Sequence, residues 1–193
     1  VNKIKKLHGE MRSTGKTFNF AMIYEAGITT LARGAKVSRT RAQELREKYF
    51  EEFSGIERFM NWTHRFAQKN GYVKTLLNRI RWLPDAQLRG STQGEQARKS
   101  SAFRKSMNTP VQGSAADIMK VAMRNIDRRI EAEGLRESTQ MVLQVHDEVI
   151  LETDSDKVEQ VMALVKEEME NAVTLRVPLV SDVVSGQVWS EAK

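Results

Sequence analysis

Apolar residues keep a helical period through the first half of this chain and give way to short contiguous runs in the second. The fold is therefore limited to helices first and a mixed region afterwards. Helical spacing predicts a first helix over about residues 8–24. Ser38 reads as the N-cap of a second helix with Leu45, Tyr49 and Phe53 at i, i+4 intervals, broken by Ser54-Gly55. Ile56, Phe59, Met60, Thr63 and Phe66 form the expected buried side of a third, which Gly71 stops. Residues 72–83 read as a hairpin or loop closed by Pro84-Asp85, and the polar residues 86–97 as a mobile loop. A helix over about 95–107 follows, bent or ended by Pro110. Ser114-x-x-Asp117 is an imperfect capping box for a long helix reaching Glu133, with Gly134 as its stop. Residues 141–145 and 149–151 read as strands around a His146-Asp147-Glu148 turn. Asp154 or Ser155 is the expected cap of a helix whose apolar face is Val158, Val161, Met162, Val165 and Met169, and residues 177–184 read as a last strand. The fold class is α+β. A mainly helical part over 1–95 precedes a part over 96–193, in which helices pack on one face of a small antiparallel sheet.

The chain has no cysteine, which excludes disulfides and thiolate metal sites. No apolar run approaches the roughly 20 residues of a membrane span and no signal peptide is visible, so a cytoplasmic location is expected. The net charge of +6 is uneven. From Leu151 onward nine acids face four bases, a net −5, which leaves +11 on residues 1–150. Such a basic portion suits a polyanion such as nucleic acid, and equally a protein that is merely basic.

Arg12, Lys16, Phe20 and Tyr24 follow one another at steps of four. Four helical residues advance about 400°, so all four project from one side along about 18 Å. Two cations followed by two rings suit a nucleotide, with phosphates at one end and sugar and base at the other. Spacing alone equally describes an amphipathic helix with a solvated basic end. His146-Asp147-Glu148, between apolar runs, holds two carboxylates at a fixed turn, and hard divalent cations prefer such oxygen ligands. Acid-rich turns are also common for conformational reasons. Between these blocks Arg104, Asn108 and Gln112 step by four. Amide side chains can donate to the minor-groove acceptors shared by all base pairs. Arg98 and Lys99 are basic positions on the same expected helix, open to phosphate or to solvent.

Arg12-x3-Lys16-x3-Phe20-x3-Tyr24 resembles motif B of family A (DNA polymerase I-like) DNA polymerases, their fingers helix. Gln144-Val-His146-Asp147-Glu148-Val149 resembles motif C, and Asn108-Thr-Pro110-Val-Gln112-Gly-Ser-Ala-Ala-Asp117 the segment between them. Residues 75–85, ending Trp82-Leu-Pro-Asp85, resemble the family's fingers loop, and Ser185-Gly-Gln-Val-Trp189 its C-terminal ending. The three main blocks stand in family order, and the likeness runs from about residue 11 to 189.

The resemblance implies a fingers portion followed by a partial palm, adding deoxynucleotides to a primer by two-metal phosphoryl transfer. Arg12 and Lys16 would hold the triphosphate, with Lys16 also giving a proton to pyrophosphate. Phe20 would lie near the sugar and base, and Tyr24 by the templating base. Asp147 would ligate magnesium with Glu148 as auxiliary carboxylate, two ions serving the complete enzyme. Arg98, Lys99, Arg104, Asn108, Gln112 and His146 would contact template–primer DNA. Two departures stand out. Glu25 follows the tyrosine where the family usually has glycine, which points to a phage or other divergent member. No Asp-x-Ser-x-x-Glu segment, the family's second metal-binding motif, occurs in the sequence. The 193 residues are therefore expected to be inactive alone, as a fragment or a split subunit needing a polypeptide with motif A and the thumb. Two rivals stay open. One is a phage-type single-subunit RNA polymerase, against which Phe20 and Glu148 argue. The other is a non-catalytic, sequence-tolerant nucleic-acid binder.

Overall fold

The structure, a computed structural model, describes residues 7–192. It divides into two compact units, Val1–Val111 and Gln112–Lys193. The helix that follows residue 92 packs within the first unit, against the preceding helix and the turn after Leu83.

In the first unit, α1 (Gly9–Ile23), α2 (Ile28–Ala35), α3 (Arg39–Glu52) and α4 (Ser54–Asn70) follow with short connections. Ser38 caps α3 as its spacing predicts, its hydroxyl accepting from the Arg41 N–H at 3.1 Å. The break between α3 and α4 falls at Phe53, and Ser54-Gly55 open α4 rather than end α3. Met22, Leu31, Ala32 and Ala42 form one small core, with Phe18 and Tyr49 packed against it. The buried stripe of α4 is Met60, Thr63 and Ala67. Phe59, expected inside, is exposed, because it lies about 100° around the helix from Met60.

Gly71 ends α4 in the left-handed conformation (φ 73°), accepts the Leu83 N–H at 2.7 Å, and leads into β1 (Tyr72–Lys74). β1 pairs antiparallel with β2 (Ile80–Trp82) in the register Tyr72↔Trp82. A β-carbon at Gly71 would meet the Gln87 side-chain oxygen at 2.8 Å. Gly71→Ala is therefore expected to destabilise the protein by about 1–2 kcal/mol from the left-handed backbone alone, a loss that thermal unfolding should register.

The stretch read as a mobile loop is more ordered than expected. Pro84–Gln87 form a 3-10 turn, and α5 (Gln93–Asn108) starts two residues early. The overlooked signal is Thr92-Gln-Gly-Glu95. The Thr92 hydroxyl accepts from the Glu95 N–H at 3.2 Å while the Glu95 carboxylate accepts from the Ser91 N–H at 2.8 Å, close to a capping box. Residues Thr109–Gly113 form a π turn, for which Pro110 supplies the reason: it has no N–H for a regular helical bond.

In the second unit, α6 (Ser114–Ala132) starts directly from that turn. Its N-cap is Gly113 rather than the expected Ser114, and Ser114 and Asp117 are buried within the helix. α6 ends in a Schellman motif. Gly134 (φ 69°) donates to the Glu131 carbonyl, and Leu135 donates to that of Ile130. β3 (Thr139–Val145) and β4 (Glu148–Thr153) pair antiparallel, and α7 (Val158–Glu170) follows. The N-cap of α7 is Lys157, which makes no side-chain capping bond, in place of Asp154 or Ser155. Ile126, Ile130, Leu135, Val161, Leu164 and Val165 form the core, with Met141, Leu151 and Val183 packed on it. Arg129 ties α6 to α7 through Glu167 at 2.6 Å and Glu168 at 3.1 Å, contacts that hold its pKa above the ordinary arginine value.

No strand forms over residues 177–184. Pro178 lacks a donor, no described strand pairs with the segment, and Val177, Val180 and Val184 are exposed. The remaining architecture is the α+β arrangement expected, with two small antiparallel sheets among the described residues. No described helix is long and apolar enough to cross a membrane.

Candidate functional site

The four residues spaced along α1 share a face as predicted. The Phe20 and Tyr24 rings are parallel, 6.1 Å apart with 5° between planes, and Lys16 Nζ lies 5.8 Å from the Phe20 centroid. Cation and rings thus form a column along the helix. Arg12 and Lys16 are exposed and have no carboxylate partner among the described residues, so both charges are open to solvent.

The opposite side of α1 anchors it. Asn19 Oδ1 accepts from the Tyr49 hydroxyl at 2.7 Å, and the Phe18 ring meets Tyr49 edge-on. Partial burial raises the Tyr49 pKa, so the phenol keeps its proton and donates. In Phe18-Asn19-Phe20, then, two side chains hold the helix in place and one is presented to solvent.

In the second unit the β3–β4 hairpin turns on two residues. Val145 pairs with Glu148, leaving His146 and Asp147 as the loop. His146 takes φ 55°, and its carbonyl accepts from Gln144 Nε2 at 2.6 Å, which supports a conformation unusual for a residue with a β-carbon. Glu148 belongs to β4 rather than to the turn. Asp147 and Glu148 are adjacent and exposed. A register shift at Val142 bends β3 just before the loop, as bulges near sites do. It leaves Leu143 exposed, although alternation would place it on the core side with Met141. Among the described residues no three His, Asp or Glu side chains gather to hold a metal ion. The hairpin's two carboxylates fit a hard divalent cation as part of a ligand set, not as the whole.

Of the intervening residues, Arg104 is exposed on α5 and Asn108, at its end, is half-buried with an Oδ1 that makes no hydrogen bond. Gln112 falls in the π turn, so the three do not continue one α-helical face. Irregular turns of this kind recur at functional sites. Arg98 pairs with Asp85, which raises the arginine's pKa and joins α5 to the 3-10 turn, and Lys99 Nζ lies 5.8 Å from the Phe103 centroid. Sequence reasoning missed a run of ring contacts from Phe59 through Trp62, Phe66 and Tyr72 to Trp82, with Trp62 and Trp82 well exposed. The spacing of 59, 62 and 66 was its signal, but a core helix has the same spacing.

The family model for DNA polymerase family A matches residues 1–191. The chain belongs to DNA polymerase family A. This family A chain is 44% identical over 183 residues to DNA polymerase I of Bacillus caldotenax, covering 95% of this chain and 20% of that protein. It is 41% identical over 182 residues to DNA polymerase I of Deinococcus radiodurans, covering 94% and 18%. Among solved structures it matches the POL domain of Pol1 from M. smegmatis, in complex with DNA primer-template and dNTP. The TM-score is 0.88 at 36% identity, covering 98% of this chain and 32% of that one. The chain spans about a fifth of the length of these curated relatives.

Proposed function

We propose that this chain supplies the fingers portion and part of the palm of a template-directed DNA polymerase. The observation that carries the reading is the α1 column, Lys16 over Phe20 over Tyr24 with Arg12 a turn before, in a chain of this family. In this reading Arg12 and Lys16 receive the triphosphate and Lys16 delivers a proton to the departing pyrophosphate. Phe20 packs on the sugar and base, and Tyr24 lies by the templating base. Arg104, Asn108, Gln112 and His146 contact template and primer, with Arg98 and Lys99 at the phosphates. Arg98 would exchange Asp85 for a phosphate oxygen, one charge-assisted pair for another.

Asp147, beside Glu148, is the residue that would hold magnesium. Two such ions would activate the primer hydroxyl and stabilise the leaving oxygens. Because the described residues gather too few carboxylates for that pair, a second aspartate is expected from polypeptide outside these 193 residues. The chain alone should therefore not extend a primer. Supplying a family A segment that carries Asp-x-Ser-x-x-Glu should restore magnesium-dependent extension. Robust extension by the purified chain alone would overturn the need for a second segment, and none after complementation with a segment shown to bind it would overturn the polymerase reading. A simple nucleic-acid binder would hold template–primer equally with or without the matching deoxynucleotide and magnesium, whereas this chain should hold it more tightly with both.

Sugar selection gives a second check. Phe20 brings no hydroxyl to the nucleotide's 3′ side. In the complemented enzyme Phe20→Tyr is expected to raise dideoxynucleotide incorporation markedly, measured as chain termination at matched concentrations. Equal termination by both versions would remove Phe20 from the sugar.

A further inference from the structure

α1 ends in a Schellman motif like that of α6, but without glycine. The Glu25 N–H donates to the Met22 carbonyl at 3.2 Å, and the Ala26 N–H donates to that of Ala21 at 2.8 Å. This geometry requires a left-handed residue at position 25, and Glu25 has φ 54°. Glycine fills that place at the end of α6, where Gly134 has φ 69°. A β-carbon is disfavoured there, so Glu25 holds an unfavourable backbone, as Lys36 does at the end of α2 with φ 55°.

The carboxylate has a partner. Glu25 Oε2 lies 3.2 Å from His64 Nε2 on α4, and both side chains are largely covered. Nε2 is buried and makes no hydrogen bond, so the two side chains are in close contact without hydrogen-bond alignment. A small rotation of either side chain would align it. The imidazole is itself held, stacked on Phe103 of α5 with centroids 4.6 Å apart and 18° between planes. The contact therefore joins the end of α1 to two other helices of the same unit, one residue beyond the Tyr24 ring.

We propose that Glu25 and His64 form a latch that fixes the C-terminal end of α1, making both of them positioning residues for Tyr24. Glycine at position 25 would let the helix end pivot, whereas the carboxylate–imidazole contact restrains it. The role in nucleotide use rests on reading α1 as the nucleotide helix.

The test is amide hydrogen exchange over residues 20–26 in the 193-residue chain, for Glu25→Gln, His64→Phe and the double variant. Glu25→Gln keeps the shape and removes the charge, and His64→Phe keeps a ring on Phe103. Each single substitution is expected to speed exchange by about three- to tenfold, with no further gain in the double. Glu25→Gly should speed the same amides while leaving the melting temperature unchanged or raised, since glycine relieves the backbone. A purely structural contact would not separate those two readouts. Unchanged exchange in the single variants, additive effects in the double, or a melting temperature that falls with exchange in Glu25→Gly would each overturn the latch. Magnesium-dATP added to the native chain separates the underlying reading. Protection of residues 12–24, weaker in the latch variants, supports the positioning role. No protection alongside the expected exchange pattern overturns the nucleotide reading and leaves a latch without that role.

Discussion

Asp147→Asn is expected to abolish primer extension by the complemented polymerase, by at least about a thousandfold, while leaving DNA affinity nearly unchanged. Asparagine has the shape of aspartate and lacks its charge. A hard dication depends on anionic oxygen, and two ions about 3.5–4 Å apart repel each other unless carboxylates offset them. Glu148 is adjacent but is the first residue of β4, so it does not occupy the loop position of Asp147. The fold should not respond. Asp147 is exposed in a two-residue loop, and exposed substitutions of this kind change stability by about half a kcal/mol at most. The measurement is single-turnover extension beside template–primer binding and thermal unfolding. Extension by the Asn variant within tenfold of the parent would remove Asp147 from the metal site.

Lys16→Ala is expected to lower deoxynucleotide use by roughly ten- to hundredfold, since charge-assisted hydrogen bonds contribute about 1.5–3 kcal/mol each. Lys16 is exposed, has no carboxylate partner among the described residues, and contacts its own helix through the Phe20 ring. Alanine favours the helix, so α1 should persist. Arg12→Ala should weaken nucleotide binding by a similar factor. Lys16→Ala should additionally slow the chemical step, because the proton destined for pyrophosphate is lost with the amine. Single-turnover rates over a range of deoxynucleotide concentrations separate the two effects. If only DNA affinity falls, α1 contacts the duplex and not the triphosphate.

Steps of four residues repeat a helix face by covalent geometry alone, and for that reason the α1 column is legible in the residue order. The His-Asp-Glu turn is legible because charge between two apolar runs leaves few alternatives to a hairpin. Legibility fails where two answers share one local pattern. Phe59 carries the spacing of a core residue and lies outside it. Val177, Val180 and Val184 look like a strand and form none, because a strand exists only where another backbone meets its hydrogen bonds.

By itself, then, the sequence determined the helical first half, the hairpin, the order of the three sequence blocks and the family they belong to. All of these rest on near neighbours in the chain or on residue identity. Tertiary structure alone decided the bulge at Val142, the pairing of Arg98 with Asp85, and the contact of Glu25 with His64. Each of these depends on a backbone or side chain contributed by another element. Such a partner leaves no periodic trace in the segment it meets, because packing joins residues by distance in space and not by their interval along the chain.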